Sequence, residues 1–484
     1  MSIAGALSNA LSGLTASSRL AEVAASNVAN AMTEGYGVRE AVLAPRAGGD
    51  GGGVRVLGVA RLVDPVLISD RREAESEVAY SSTGESFFRR MQLEMGLPNE
   101  AGSLTDRIAK LEAALAEATR APESEPQLLA VKNSLASVAR HLNGLGDMVQ
   151  AERLRTDNEI AVQVDSLNDA LQQLKEVNSS IQRHLVLNHD VSAMLDQRQS
   201  LVDQVSKIIP VTELPRSNGA IALMTQGGEL LLDGKAATVE FDPNAVMTPH
   251  MSLAGGTLSP LTVNGRVIDT SGTGSSIAGG SLQALFEVRD ESSVEMQAKL
   301  DGFARDLVER FQEPTVDLTL SAADPGLLTD GGSRFDPLDE LGLSQRIEIN
   351  SLIDLDSGGA AWRLRDGLGA TSPGPEGSSA LLLRLSDTLA EYTSPSSTAF
   401  SISSRTAATL ASDLESHVGG NVEQAETSLV FAQSKFDTLK QIELSGGVDT
   451  DSEMQRLLII EQSYAANARV VDVVDSMLDW LMRI

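Results

Sequence analysis

Five histidines, at positions 141, 184, 189, 250 and 417, are the side chains best suited to hold a metal or carry a proton near neutral pH. Only His184 and His189 lie close together, and a spacing of five does not put both on one helical face as a spacing of four would. Asp354-Leu355-Asp356-Ser357-Gly358-Gly359 opens like a calcium loop, with alternating carboxylates and Gly359 in the sixth place. Gly358 brings no ligand to the fifth place, and Arg365 puts a positive charge at the twelfth, where a glutamate belongs. That segment reads as a surface turn. The run Gly48-Gly49-Asp50-Gly51-Gly52-Gly53 lacks the preceding buried strand and the Lys-Ser/Thr of a phosphate loop, and reads as a linker. Neither a Gly-x-Ser-x-Gly elbow nor a Walker loop occurs, and Glu73, Glu75 and Glu77 form an ordinary solvated helical face. With no cysteine, thiolate chemistry and disulfides are excluded. The residues therefore recommend no catalytic, metal or cofactor-binding set, and the expectation is a protein that is not an enzyme.

Composition narrows the class further. Against 38 basic residues stand 67 acidic ones, a net charge of −29, which argues against nucleic acid and against anionic membrane surfaces as partners. Hydrophobic residues make up 42% but aromatics only 3%, so cores must be built from Leu, Val, Ile and Ala, as in helical bundles. A length of 484 residues predicts about three domains. No apolar run reaches the roughly 18 residues that span a bilayer. Arg19 is the first charged residue and the start is amphipathic, so it does not read as a cleavable signal peptide.

Without chemistry to position, the elements that demand a partner are the two ends. Positions 457, 460, 464, 467, 471, 474, 478 and 481 read Leu, Ile, Tyr, Asn, Val, Val, Leu and Leu. Their alternation of three and four is a coiled-coil seam with Asn467 as its polar member. Asp449 or Asp451 can cap this helix, and no Pro or Gly interrupts it from Ser452 to Ile484, a length of about 50 Å. At the other end Ile3, Leu7, Ala10, Leu14, Ser17, Ala21, Ala24 and Val28 repeat the pattern, with Leu11 and Leu20 widening the stripe. Gly35 is placed to end that helix. The many alanines allow a neighbouring helix to approach closely.

These ends also carry a resemblance. Ala10-Leu11-Ser12-Gly13-Leu14-Thr15-Ala16, Ser26-Asn27-Val28-Ala29-Asn30 and Thr33-Glu34-Gly35-Tyr36 resemble the N-terminal signature of bacterial flagellar rod, hook and hook-associated proteins. Gly447-Val448-Asp449, Leu457-Leu458 and Gln462-Ser463-Tyr464-Ala465-Ala466-Asn467-Ala468-Arg469-Val470 resemble the C-terminal one, although Thr450-Asp451-Ser452-Glu453 departs from its usual acids. Within that group the long helical segment, the length and Ala193-Met194-Leu195-Asp196-Gln197-Arg198 are most similar to the first hook-associated protein family. The resemblance implies a structural subunit at the hook–filament junction, exported by the type III route and assembled through its terminal helices. It implies as partners further copies of the chain, the hook protein, the second junction protein (hook-associated protein 3) and an export chaperone on the C-terminal helix. The implied subunit interface is Ile3, Leu7, Leu11, Leu14 and Val28 with Leu457, Ile460, Tyr464, Asn467, Val471, Val474, Leu478 and Leu481. A hook or distal rod subunit shares both motifs. From other classes, a secreted adhesin or binding module, or a hydrolase, are the alternatives.

The middle is read from its punctuation. Val54-Arg55-Val56 and Val59-Ala60-Arg61-Leu62 read as strands about a Gly58 turn, and helix runs from Asp64-Pro65 to about Met95. Residues 103–208 hold three helices: one opened by Ser103 and Asp106, a long one after a loop bracketed by Pro122 and Pro126, and one from Val191 to Ile208. Asp233-Gly234 and Asn264-Gly265 each mark a type I′ hairpin. The expected fold is multidomain α+β, with coiled-coil terminal helices, a long helical bundle and β-rich inserts at the distal end. Residues 1–40 pair with 446–484. The bundle comprises 41–209, 281–313 and 404–445, and 210–280 and 314–403 are β-rich or irregular inserts that together form a further domain. The terminal helices, each lacking tertiary support alone, are expected to be loosely ordered before assembly.

Overall fold

A computed structural model describes residues 3–46, 52–98, 100–272 and 274–483. Gly48–Gly51 of the linker reading and the terminal Ile484 lie outside the described residues. Helix α1 (Ile3–Ala29) leads into an antiparallel hairpin of β1 (Val38–Pro45) and β2 (Val54–Leu62). Gly58 is not a turn. It pairs with Val42 beside a register shift in which Leu43 meets Val56, so a bulge takes up Leu57 within one continuous strand. Helix α1 ends at Ala29, and Gly35 (φ +78°) serves the following turn, in which Tyr36 N–H donates to Thr33 O, rather than the helix end. Because β1 spans residue 40 and lies on α1, the terminal unit extends to Leu62, past the expected boundary.

Local chemistry fixes the helices that follow. In α2 (Pro65–Met95), Asp64 accepts from Val66 and Leu67 N–H, Pro65 fills the first turn, and Gly96 (φ +82°) ends it. Ser103 caps α3 (Leu104–Arg120) by accepting from Asp106 N–H. Helix α4 (Glu125–Val186) has 62 residues and is about 93 Å long. Pro126 stands in its first turn, where the missing N–H costs nothing, so it begins the helix rather than bracketing a loop. Asn188 (φ +54°) ends α4, and α5 (Ser192–Ile208) returns along it.

The segment after Pro210 contains two small antiparallel sheets. The first is the meander β3 (Val211–Pro215), β4 (Ile221–Thr225), β5 (Leu230–Asp233) and β6 (Lys235–Ala236). The second is β7 (Val239–Glu240), β8 (Thr262–Val263) and β9 (Arg266–Val267). Asn264 (φ +51°) and Gly265 (φ +75°) form the type I′ turn between β8 and β9. At Asp233-Gly234 the reversal is tighter, with Asp233 paired to Lys235 across Gly234 alone. Helices α6 (Gly280–Glu287) and α7 (Ser293–Gln312) join through a π-helical turn, Val288–Ser292. Beyond Pro314 come β10 (Leu328–Asp330), the single helical turn α8 (Leu343–Arg346), β11 (Ile347–Ile349) paired with β10, and a second single turn, α9 (Arg363–Asp366). Three long elements close the chain: α10 (Ala380–Ala390), α11 (Ala407–Ser445) and α12 (Thr450–Met482).

Two apolar cores are strung along α4. Its first half, Leu128 to Val149, packs with α3, α7, α10 and the start of α11. Its second half, Ile160 to Ile181, packs with α5, α6 and the first two sheets. The stretch 314–403 therefore is not part of one further domain with 210–280. Val316, Leu328, Ile347, Leu364 and Leu382 belong to the first core, whereas Ile221, Leu232 and Val263 belong to the second. The expected irregular insert also contains α10, whose Leu381, Leu382, Leu385 and Leu389 are buried at helical spacing. Between the cores α4 buries Gln150, Arg153, Thr156 and Asp157. There Arg289, carried in by the π turn and fully buried beneath Phe241 and Phe286, meets Asp157 at 2.7 Å. Arg153 donates to the carbonyls of Arg289, Thr248 and Met251.

Candidate assembly site

Residues of small volume let the chain ends meet. Helices α1 and α12 run antiparallel and pack closely at Gly13, where a methyl group would lie 2.6 Å from the Asn467 amide. Asn467 Nδ2 in turn donates to Ser463 O, so the polar seam residue is satisfied within its own helix and leaves room for the crossing. Towards the start of α12, Glu453, Arg456 and Ile460 line a hollow with Leu20, Val23 and Ala24 of α1. Of the two candidate caps Asp449 is the one used, accepting from Asp451 and Ser452 N–H.

The expected interface divides into a packed and an open part. Ala10, Ser17 and Ala24 of the N-terminal stripe are buried, and Ile3, Leu7, Leu14 and Val28 are half-buried. On α12, Val474 is buried, and Leu457, Ile460, Asn467 and Val471 are half-buried, whereas Leu11, Tyr464, Leu478 and Leu481 are exposed. Exposed with them are Leu458, Val473, Met477 and Trp480, the last 75% accessible. Helix α12 thus carries two apolar faces, one against α1 and one against solvent. The seam pattern located the first and said nothing of the second.

The turn after α1 is held by Asn27, fully buried although flanked by the seam residue Val28. Its Nδ2 donates to Arg39 O (2.9 Å), while Oδ1 accepts from Arg39 N–H (3.0 Å) and from Tyr36 O–H (2.9 Å). A side-chain amide here replaces the strand neighbour that β1 lacks on that edge. The Arg39 guanidinium then lies over the Tyr36 ring at 4.7 Å.

A second polar centre joins this terminal unit to the body. Asp196 of α5 accepts from Arg39 Nη2 (2.8 Å), Arg61 Nε (2.6 Å) and Gly37 N–H (3.0 Å). Gly37 lies close against the Arg61 side chain, so a methyl group there would push that side chain aside. Arg61 also reaches Gln199. Next to it Arg71 pairs with Asp203, Glu75 and Glu443, and Arg72 with Asp203 and Glu213. Burial opposes the charge on Arg71, but Asp203 and Glu443 outweigh it and raise the pKa. At the rim Lys440 bonds Glu34 at 2.8 Å and holds that carboxyl below its ordinary range. Of these residues Gly13, Asn27, Gly37 and Asp196 stand in or beside the motifs quoted above. The contacts of Arg39 and Arg61 with Asp196 and of Arg61 with Gln199 left no signal in sequence, because each joins residues more than 130 positions apart.

The residues weighed for chemistry are placed as follows. The His184 and His189 rings stand 5.7 Å apart because the chain turns at Asn188, and no group of three potential ligands surrounds them among the described residues. Asp354 is engaged by Lys132 (3.1 Å) and by Ser357 Oγ (2.9 Å), between two short 3-10 turns.

Residues 91–315 match the family model described as the flagellar hook-associated protein FlgK helical domain, and residues 445–484 match the flagellar basal body rod FlgEFG protein C-terminal model. The chain is similar to flagellar hook-associated protein 1 of Escherichia coli, 22% identical over 239 residues, which is 48% of this chain and 43% of that protein. The counterpart in Salmonella typhimurium is 23% identical over the same shares. The match thus spans less than half the length of these relatives. In the solved structure of the flagellar hook junction protein FlgK from Burkholderia pseudomallei, 47% of that chain is matched by 54% of this one, with a TM-score of 0.43 and 16% identity.

Proposed function

Since the chain belongs to the family of the flagellar hook-associated protein FlgK, we propose that it is a structural axial subunit of the bacterial flagellum that forms the hook–filament junction by self-assembly through its terminal helices. The observation that carries this reading is the open apolar face of α12. With Leu458, Val473, Met477 and Trp480 exposed, this face stays in water until another surface covers it. Covering the half of each side chain that remains in water stabilises by about 1 kcal/mol apiece, which favours association of subunits that repel one another through a net charge of −29 each. The packed face against α1 keeps the pair together, and the open face meets neighbouring copies in the inner tube.

The same reading supplies the remaining partners. The hook protein lies below the junction, hook-associated protein 3 lies above it, and an export chaperone covers the α12 face before assembly. Export is by the type III route. Immunogold labelling of isolated flagella with antibody to residues 210–400 tests the proposal: a single band where hook meets filament is expected. Label along the hook would make the chain a hook subunit, and absence of label would favour a secreted binding module.

A further inference from the structure

Neither apolar core contains a residue of α1, β1, β2 or α12. Two units without a shared core hold a fixed orientation only through their covalent links and polar contacts. The links are two, Val63-Asp64 between β2 and α2 and Gly446-Gly447 between α11 and α12. Between them opens a cleft of about 420 Å³, lined by Tyr36, Leu62, Leu67, Gln199, Glu443 and Gly447, which leaves the terminal unit room to move.

The polar contacts across this joint are unequal. Arg19–Asp190, at 3.4 Å, and Lys440–Glu34 lie at the exposed rim, where ion pairs contribute little. Asp196 is shielded, with its side chain 15% exposed and both oxygens engaged. Its three donors, Gly37, Arg39 and Arg61, all come from the terminal unit. Asp196 itself stands on α5, anchored in the second core through Leu201, Val202 and Val205. Charge-assisted bonds from two guanidinium groups and a backbone N–H define both distance and angle, which an apolar contact does not.

We infer that Asp196 is a latch, a positioning residue that fixes the terminal helix pair on the body and whose release lets the pair swing about the Val63-Asp64 and Gly446-Gly447 links. The purpose of the latch, presenting the α12 face at one angle, rests on the assembly reading above; its existence does not.

The full chain has no cysteine, so spin labels attached to Ser18→Cys and Gln173→Cys, both exposed positions, report the angle by pulsed dipolar spectroscopy. In the otherwise unaltered chain one narrow distance distribution is expected. Asp196→Ala should broaden it at least twofold or add a second distance, and Asp196→Glu should restore most of the sharpness, with the thermal transition of the body unchanged. A distribution as narrow in Asp196→Ala as in the parent overturns the latch. Should Asp196→Ala fail to fold, Arg61→Gln, which leaves α5 intact, is read in the same way; failure of both to fold would make the contact part of the folding core and overturn the proposal equally. The distances are measured on the free chain and the immunogold labelling on assembled flagella, so the two readings fail separately.

Discussion

Gly13 shows how much a single residue decides in the terminal pair. A methyl group there meets only the end of the Asn467 side chain, which can swing aside, and alanine also favours helix over glycine by about 1 kcal/mol. Gly13→Ala is therefore expected to leave the pair intact, while Gly13→Leu, too large for that retreat, should separate α1 from α12. Amide exchange in both helices checks this: protection retained in the leucine variant would contradict a close crossing at Gly13. A different single-residue effect sits in the first core. Burial, and then the charge of Arg107, lower the His141 pKa from 6.5 to about 4, while a hydrogen bond with the Met95 backbone works the other way. A histidine depressed in the folded chain binds its proton more readily when unfolded, so its contribution is complete above about pH 6.5 and is lost as the pH falls towards about 4. His141→Gln should flatten that part of the stability profile. Urea midpoints at pH 7 and pH 4.5 measure it, and equal acid losses in both proteins would exclude the histidine as their source.

Among elements, the long helices were legible because caps and periodicity act within a few residues of one another. Asp64-Pro65, Ser103 with Asp106, and Asp449 each start a helix where the sequence placed it. What failed to read were elements whose identity depends on distant partners. Strand β1 has ordinary composition and becomes a strand through β2 and Asn27, and the Gly58 bulge is defined only by its register against Val42 and Leu43. Helix α10 hid because its leucines lie in a stretch otherwise rich in Gly, Pro and Ser. The candidate site divides in the same way: the motifs held Asn27, Gly13 and Asp196, while the seam could not say which face of α12 is open. That distinction can be tested within one helix. Val473→Asp lies on the open side and should block assembly while leaving the thermal unfolding of the monomer unchanged, because the new charge remains in water. Val474→Asp, at a position 4% exposed, should separate α12 from α1 in the monomer itself. Equal protease sensitivity of residues 455–482 in the two variants would remove the distinction between faces.

For the whole molecule, the decisive feature is the polar belt on α4. Gln150, Arg153, Thr156 and Asp157 interrupt a stripe that otherwise buries apolar residues from Leu128 to Ile181. The Arg289–Asp157 pair and the carbonyls held by Arg153 satisfy polar groups of that belt, and the buried apolar residues on its two sides form two separate clusters. Two cores on one rod should then respond separately to damage, because each insert is built into the core at its own end. Leu223 is fully buried in the second core and Phe303 in the first. Truncating either to alanine should cost about 3 kcal/mol, with different consequences. Leu223→Ala should speed amide exchange in β3–β5 and α5 and leave α3 and α10 protected, and Phe303→Ala should do the reverse. Hydrogen exchange read by mass spectrometry separates these segments. Acceleration throughout in either variant would mean that the continuous helix α4 couples the cores despite the belt, and that the chain unfolds as one unit.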